Sequence, residues 1–194
     1  MKSMFVYVSL AATLATGCAG SHPDDHAEQS ARARKAAEAL TGRLLGELTQ
    51  AMKNGGPSAA VRYCARNAQT VTSSVGLEHR LAIRRVTDRP RNAADAPDAW
   101  ERDVLDDLDM RARAGTLAAD AVHEEVREVD GRLVLRVMKP IIVRQPCLAC
   151  HGTERDIAPD VARIIREEYP DDRATGYVVG DFRGAISVQV PLED

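Results

Sequence analysis

The pattern of apolar and polar positions places helices in the first part of the chain. A first helix is predicted over residues 31–52, where apolar side chains recur at every fourth position: Ala36, Leu40, Leu44, Leu48 and Met52. The run Asn-Gly-Gly-Pro at 54–57 is a helix stop. A second helix is predicted over residues 58–74, with Cys64 on its apolar face.

Alternating apolar and polar positions predict strands later in the chain. The predicted strands are residues 81–87, 122–129, 133–137 and 185–190, and Asp130-Gly131 gives the second and third of these a tight hairpin turn. Further helices are predicted over 98–114, with Asp98 as the N-cap, and over 158–168. Because no regular strand–helix–strand alternation is present, the predicted class is α+β, an antiparallel sheet with helices against it.

The first 18 residues read as a targeting segment and not as part of the fold. Lys2 precedes a short apolar run that ends in Ala-Thr-Gly-Cys, and the run is too short to favour a transmembrane helix. The segment resembles a bacterial lipoprotein signal, in which Cys18 becomes the lipidated N-terminus. An ordinary cleaved signal with an incidental cysteine is the alternative. The polar residues 19–30 are predicted to be a tether, and residues 31–194 the domain.

Composition narrows the partners. The formal net charge of −3 argues against a general nucleic-acid binder. Export to the periplasm with a lipid anchor is the localisation that the targeting segment predicts. With Cys18 assigned to lipid and two cysteines to the motif described next, Cys64 is left over, and no disulfide framework is implied.

The most specific motif is Cys147-Leu148-Ala149-Cys150-His151, the C-x-x-C-H signature of c-type haem attachment. Two thiols three residues apart can each add to one vinyl group of a porphyrin, and the following His can bind the iron. With 4 Cys and 5 His in 194 residues, about 0.002 chance matches are expected. One alternative is half of a zinc site, which needs a second ligand pair, and the other is a redox C-x-x-C, which does not require this histidine.

Other candidate residues carry two readings each. Cys64 is either a second axial ligand of the iron or a small buried apolar residue, and Met138 is either that ligand or part of the core. His79 and His123 lie among charged residues and are expected at the surface. An arginine cluster suits haem propionates or forms a solvated edge: Arg84, Arg85, Arg89 and Arg91. Tyr177, Asp181 and Arg183 shape either the haem pocket or the turn alone.

Several stretches together resemble a known family, the haem c-binding, PAS-like domain long catalogued as domain of unknown function 3365. The matching stretches include Tyr63-Cys64-Ala65, Arg84-Arg85-Val86-Thr87, Ala99-Trp100-Glu101, Met138-Lys139-Pro140-Ile141, Cys147 to Gly152, Tyr169-Pro170-Asp171-Asp172, Ala174-Thr175-Gly176-Tyr177 and Gly180-Asp181-Phe182-Arg183-Gly184. The chain departs from the family after Asn92, where Ala93-Ala94-Asp95 replaces the usual Pro-x-Asn.

The resemblance implies a PAS-like fold with one haem c, in the form that stands alone as an exported protein. It implies that Cys64 lies opposite His151 as the second iron ligand, and Met138 is the alternative. Arg85, Arg91 and Tyr177 are the residues expected to contact the cofactor. One-electron transfer with exported redox or signalling partners is the expected function, and redox or gas (CO/NO) sensing is the alternative. An enzyme such as a peroxidase is disfavoured, because no stretch offers a distal His and Arg pair.

Overall fold

The computed structural model describes residues 23–192. The predicted signal segment and Cys18 lie outside the described residues. The helices are α1 (Pro23–His79), α2 (Ala99–Arg113), α3 (Leu148–His151) and α4 (Pro159–Glu168), with short 3-10 turns at Ala93–Asp95 and Gln145–Cys147. The strands are β1 (Ala82–Val86), β2 (His123–Val129), β3 (Arg132–Ile142) and β4 (Phe182–Pro191).

The break predicted at 54–57 is present inside α1. Gly55 and Gly56 have non-helical backbone angles, and Gly56 adopts φ +66°, where glycine is favoured. The chain turns back at this point, and two contacts join the segments before and after the turn. The Tyr63 hydroxyl donates a hydrogen bond to Glu47, and Arg43 forms an ion pair with Glu78 at 2.6 Å. Helix α1 is therefore a pair of packed helical segments, as the sequence predicts.

The predicted tether is wrong for residues 23–30, which belong to α1. Pro23 occupies the first helical position, where its missing N–H is no loss, and helix-compatible Ala, Glu and Gln residues follow. Ser30 also donates a hydrogen bond to Glu124 on β2 at 2.8 Å. The sequence pattern did not predict this helical segment, because its side chains are mostly exposed and show no apolar periodicity.

The four strands form one antiparallel sheet in the order β1-β4-β3-β2. The hairpin between β2 and β3 turns at Asp130 and Gly131, as predicted, but β3 runs on to Ile142. At the far end of β3, Gly184 passes so close to β1 that a Cβ would lie 2.3 Å from the Val86 carbonyl oxygen. Only glycine therefore allows β4 to approach β1 this closely at position 184.

Helices cover both faces of the sheet. Helix α1 packs on one face through a cluster that includes Leu40, Val75, Leu135 and Val188. Helix α2 covers the other face through Val104, Leu105 and Leu108 against Val86, Met138 and Ala185. The fold is therefore α+β and PAS-like, which confirms the predicted class. Within residues 23–192, no helix combines the length and the hydrophobicity needed to cross a bilayer.

Candidate functional site

The C-x-x-C-H motif lies directly after β3, on a 3-10 turn and the short helix α3. Two backbone hydrogen bonds join Val143 to the turn before β4: Val143 N–H donates to Asp181 O, and Gly180 N–H donates to Val143 O, both at 2.9 Å. Cys147 packs beside Val143 and Tyr177, whereas Cys150 packs against the cluster between α1 and α4. At the other end of the motif, Gly176 N–H donates to Gly152 O at 2.7 Å, so the motif is anchored at both ends. Cys147 and Cys150 lie in separate apolar clusters, and neither forms a disulfide.

The His151 ring is held by a backbone carbonyl. Its Nδ1 lies 2.7 Å from Ala174 O, a contact that requires the N–H at Nδ1 and leaves the Nε2 lone pair unused. Burial lowers the pKa of His151 well below its ordinary value, and the nearby charges of Arg91 and Arg183 lower it further. His151 is therefore a neutral imidazole with a free Nε2, the form that binds a metal ion.

Arg91 organises the backbone around the motif. Its Nε and Nη2 donate to both carboxylate oxygens of Asp172, at 3.0 and 3.2 Å. Nη2 also donates to Cys150 O at 2.6 Å and to Ala174 O, the carbonyl that holds His151, at 3.2 Å. The Nε and Nη2 donors of Arg91 are thus used by Asp172 and two backbone carbonyls, and contact of Arg91 with the cofactor stays a prediction.

Cys64, on the second segment of α1, lies in the same region as Cys150. Burial raises the pKa of Cys64, and the charges of Arg85 and Arg91 partly oppose the rise. Burial also raises the pKa of Cys150 to about 11, and a charged Cys64 would raise it further. Both cysteines are therefore thiols at neutral pH unless a metal ion or a covalent bond removes the proton.

The other predicted contacts divide into two groups. Tyr177 is only 3% exposed, and its ring lies edge-on to His151 with the centroids 6.4 Å apart. Arg85 lies 3.4 Å from Asp95, and its buried Nε–H has no hydrogen-bond partner among the described residues. Arg84 instead lies 3.6 Å from Glu101 on α2 and donates to Ala94 O and Ala96 O in the segment before that helix. Tyr177 and Arg85 thus border the motif, whereas Arg84 does not.

The structure does not bring the remaining ligand candidates to the motif. Met138 is fully buried beneath α2, in a cluster that shares no residue with those around Cys147 and Cys150. Met138 is therefore a core residue here, and its role as the alternative iron ligand stays a prediction. His123 contacts Trp100, with ring centroids 5.8 Å apart, and His79 lies in the last turn of α1.

Sequence reasoning missed three residues that shape the site. Asp172 fixes Arg91, Asp95 faces Arg85, and Tyr169 packs beside Cys150, where burial raises its pKa to about 12. Asp172 and Tyr169 belong to one of the stretches that carry the family resemblance, so a signal was present without an assigned role. Asp95 stands in the loop where the chain departs from the family, and no pattern pointed to it.

The chain is thus a small α+β domain in which a PAS-like sheet leads into a C-x-x-C-H helix with a buried, neutral histidine. The chain belongs to the Tll0287-like family, whose model matches residues 20–191. This match confirms the family that the sequence resembles.

Among solved structures, the chain is similar to one titled as the crystal structure of the cyanobacterial heme-protein Tll0287. The two share 22% sequence identity with a TM-score of 0.61, over 90% of this chain and 99% of that chain. At this identity the likeness supports the fold alone. No curated protein matches the chain significantly.

Proposed function

We propose that the chain is a c-type haem protein, with the haem attached through Cys147 and Cys150 and its iron bound by His151. The observation that carries the proposal is the His151 ring, neutral and held at Nδ1 by Ala174 O so that Nε2 is available. The similarity to a structure described as a heme-protein supports it. The haem would supply one-electron chemistry at its iron.

The residues present fit such a group. Cys147 and Cys150 each contact an apolar cluster, where a thioether, which carries no charge, is better tolerated than a thiolate. The peptide carbonyls of Cys150 and Ala174 are held by Arg91, so the motif is ordered by the protein itself. The chain therefore fixes the orientation of His151 through backbone and side-chain contacts of its own.

We also propose Cys64 as the second ligand of the iron. It is the one described cysteine outside the motif, it lies within electrostatic reach of Cys150, and Arg85 and Arg91 favour its thiolate. Coordination by iron would stabilise that thiolate against the cost of burial. A negative thiolate favours ferric iron, so a reduction potential below that of a His/Met cytochrome is expected.

One-electron transfer in the periplasm is the function we favour, with exported redox proteins as partners and no enzymatic activity of its own. Redox or gas sensing is the second candidate, because burial raises the pKa of Cys64. A buried thiolate that loses its bond to iron gains a proton readily. Reduction of the iron could therefore release Cys64 and open a site for a gas ligand. Lipidation at Cys18 would hold the protein at the membrane, and Cys18→Ser should then move it to the soluble fraction.

Haem attachment is tested on protein purified from a host that matures cytochromes c. The denatured protein should retain its colour on a gel and give a pyridine haemochrome spectrum typical of two thioether bonds. His151→Ala should change the iron spin state, whereas His123→Ala, a matched change of a histidine beside Trp100, should not. Colour that is extracted by acid–acetone would contradict the proposal.

The ligand and the function are separated by Cys64→Ala. This variant should convert low-spin ferric haem to high-spin and allow carbon monoxide and azide to bind. Met138→Leu, a change in the core beneath α2, should keep the wild-type spectrum. A wild-type ferrous protein that resists carbon monoxide supports a carrier, and one that binds it supports a sensor. An unchanged spectrum in Cys64→Ala would exclude Cys64 as a ligand.

A further inference from the structure

Arg183 differs from the other arginines that are at least partly shielded from solvent. Each of the others forms an ion pair with a described carboxylate within 4.0 Å: Arg62, Arg84, Arg85, Arg91, Arg111 and Arg136. Among residues 23–192, Arg183 has no such partner. Its Nη1 donates only to the Thr87 hydroxyl at 3.1 Å and to Arg89 O at 3.4 Å. A shielded guanidinium without a carboxylate is costly, so it calls for a reason.

The position of Arg183 connects it with the candidate haem site. It stands at the start of β4, directly before Gly184, and its guanidinium lies over the Tyr177 ring at 5.4 Å from the centroid. The Tyr177 ring also lies edge-on to His151, so Tyr177 contacts both Arg183 and the histidine of the motif. Arg183 and the imidazole that would bind iron therefore share Tyr177 as a neighbour.

Three arginines of this region differ in their carboxylate partners. Asp95 pairs with Arg85, and Asp172 pairs with Arg91. Arg183 alone of the three has no described carboxylate within 4.0 Å. A ligand that brings a carboxylate to this place would supply the missing partner.

We propose that Arg183 binds one of the two propionate groups of the haem. The proposal rests on the proposed function and adds to it the residue that fixes the orientation of the cofactor about its attachment. It adds a second arginine to the predicted contact of Arg91, whose Nε and Nη2 donors are used by Asp172 and two backbone carbonyls.

The surroundings favour a propionate over a free anion. Arg183 and Tyr177 line a cleft of about 570 Å³, whose other charged residues are Asp88, Asp106, Asp109, Asp181, Arg89 and Arg113. The aspartates of this lining outnumber its arginines, which disfavours anions that approach from solvent. A propionate is held at the site by the attachment of its own porphyrin, so it does not have to be drawn through that field.

The test uses the full haem-loaded protein and the variant Arg183→Met. Resonance Raman spectra should show a shift of the propionate-bending band, because the band reports hydrogen bonding to these carboxylates. The reduction potential should fall, because loss of a nearby positive charge favours ferric iron. Arg183→Lys keeps the charge with a different donor geometry, so it should shift the band while it retains most of the potential.

Arg89→Met is the matched control. Arg89 also stacks on Tyr177, at 4.1 Å, but it is exposed and donates to the backbone carbonyls of Arg173 and Thr175. It should leave the propionate band unchanged. A wild-type band and potential in Arg183→Met would overturn the proposal, as would an unchanged band in Arg183→Lys if Arg183→Met does not fold. Failure of the proposed function is a separate result, since wild-type protein would then give no haemochrome spectrum.

Discussion

Two groups of shielded arginines lie on this sheet, and they are built differently. Beneath α2, Arg136 pairs with Asp98 at 2.8 Å and with the fully buried Glu101 at 3.2 Å. Its guanidinium also stacks on Trp100 at 4.1 Å. Beside the C-x-x-C-H motif, Arg183 has a hydroxyl and a carbonyl as partners and no described carboxylate. The first group is balanced in charge and the second is not.

The comparison shows which property marks a binding site. An unpaired buried N–H does not, because both Arg136 and Arg85 have an Nε without a hydrogen-bond partner. The number of carboxylate partners does distinguish the two groups. Arg136 pairs with two carboxylates, and Arg183 has none within 4.0 Å among the described residues. We expect changes at Arg136 to affect the stability of the fold and changes around His151 to affect the haem as well.

The largest expected effect comes from Arg136→Ala. This change leaves the carboxylate of Glu101 fully buried without its closest cation, so the free energy of unfolding should fall by about 3–5 kcal/mol. Urea unfolding followed by circular dichroism measures it. The haem spectrum of the folded variant should match that of the wild type.

Arg132→Ala is the control, because Arg132 is an exposed residue of the same strand, and its loss should cost less than about 0.5 kcal/mol. An altered haem spectrum in folded Arg136→Ala would contradict the separation of the two groups.

A somewhat smaller loss is expected from Arg91→Met, with a different signature. The ion pair with Asp172 is largely shielded, with 10% and 8% of the two side chains exposed, so its loss should cost about 2–4 kcal/mol. Because Arg91 also holds Cys150 O and Ala174 O, the His151 ring should lose its fixed orientation, and the haem spectrum should change.

Asp172→Ala should reproduce both effects, and the double variant should cost less than the sum of the two. Stability losses that add fully would show that the two residues do not act as one unit.

The elements that carry strong local patterns could be predicted from the sequence, and the long-range pairings could not. The glycine break in α1, the Asp130-Gly131 hairpin and the Asp98 cap all follow from backbone preferences and are present. The haem motif is equally local, since its three residues are neighbours in the chain. The partnership of Arg91 with Asp172 joins positions 81 residues apart, and composition contains no information on it.

The same limit explains the errors in the candidate site. Arg84, Arg85, Arg89 and Arg91 looked equivalent as a cluster, but neighbouring residues of an extended strand point to opposite faces. Arg84 therefore faces α2, and Arg85 faces the motif. Met138 was ambiguous for a related reason, because a buried strand position can face either helix layer, and only the packing beneath α2 assigns it.

The smallest expected effect is a dependence of stability on pH that comes from Asp98. Burial alone would raise the pKa of Asp98, but hydrogen bonds from Arg136 and from the Glu101 amide lower it below its ordinary value. A carboxyl with a lowered folded pKa stabilises the fold above its unfolded pKa of about 3.9, and this contribution is lost as the pH falls further. Because the Asp98 side chain is 43% exposed, solvent screens the pair, and the effect should stay below about 1 kcal/mol. In Asp98→Asn, urea unfolding should therefore show less loss of stability between about pH 5 and pH 3 than the wild type shows. Asp103→Asn, an exposed change on the same helix, should keep the wild-type pH dependence. Equal slopes in Asp98→Asn and Asp103→Asn would show that the balanced group beneath α2 does not depend on the charge of Asp98.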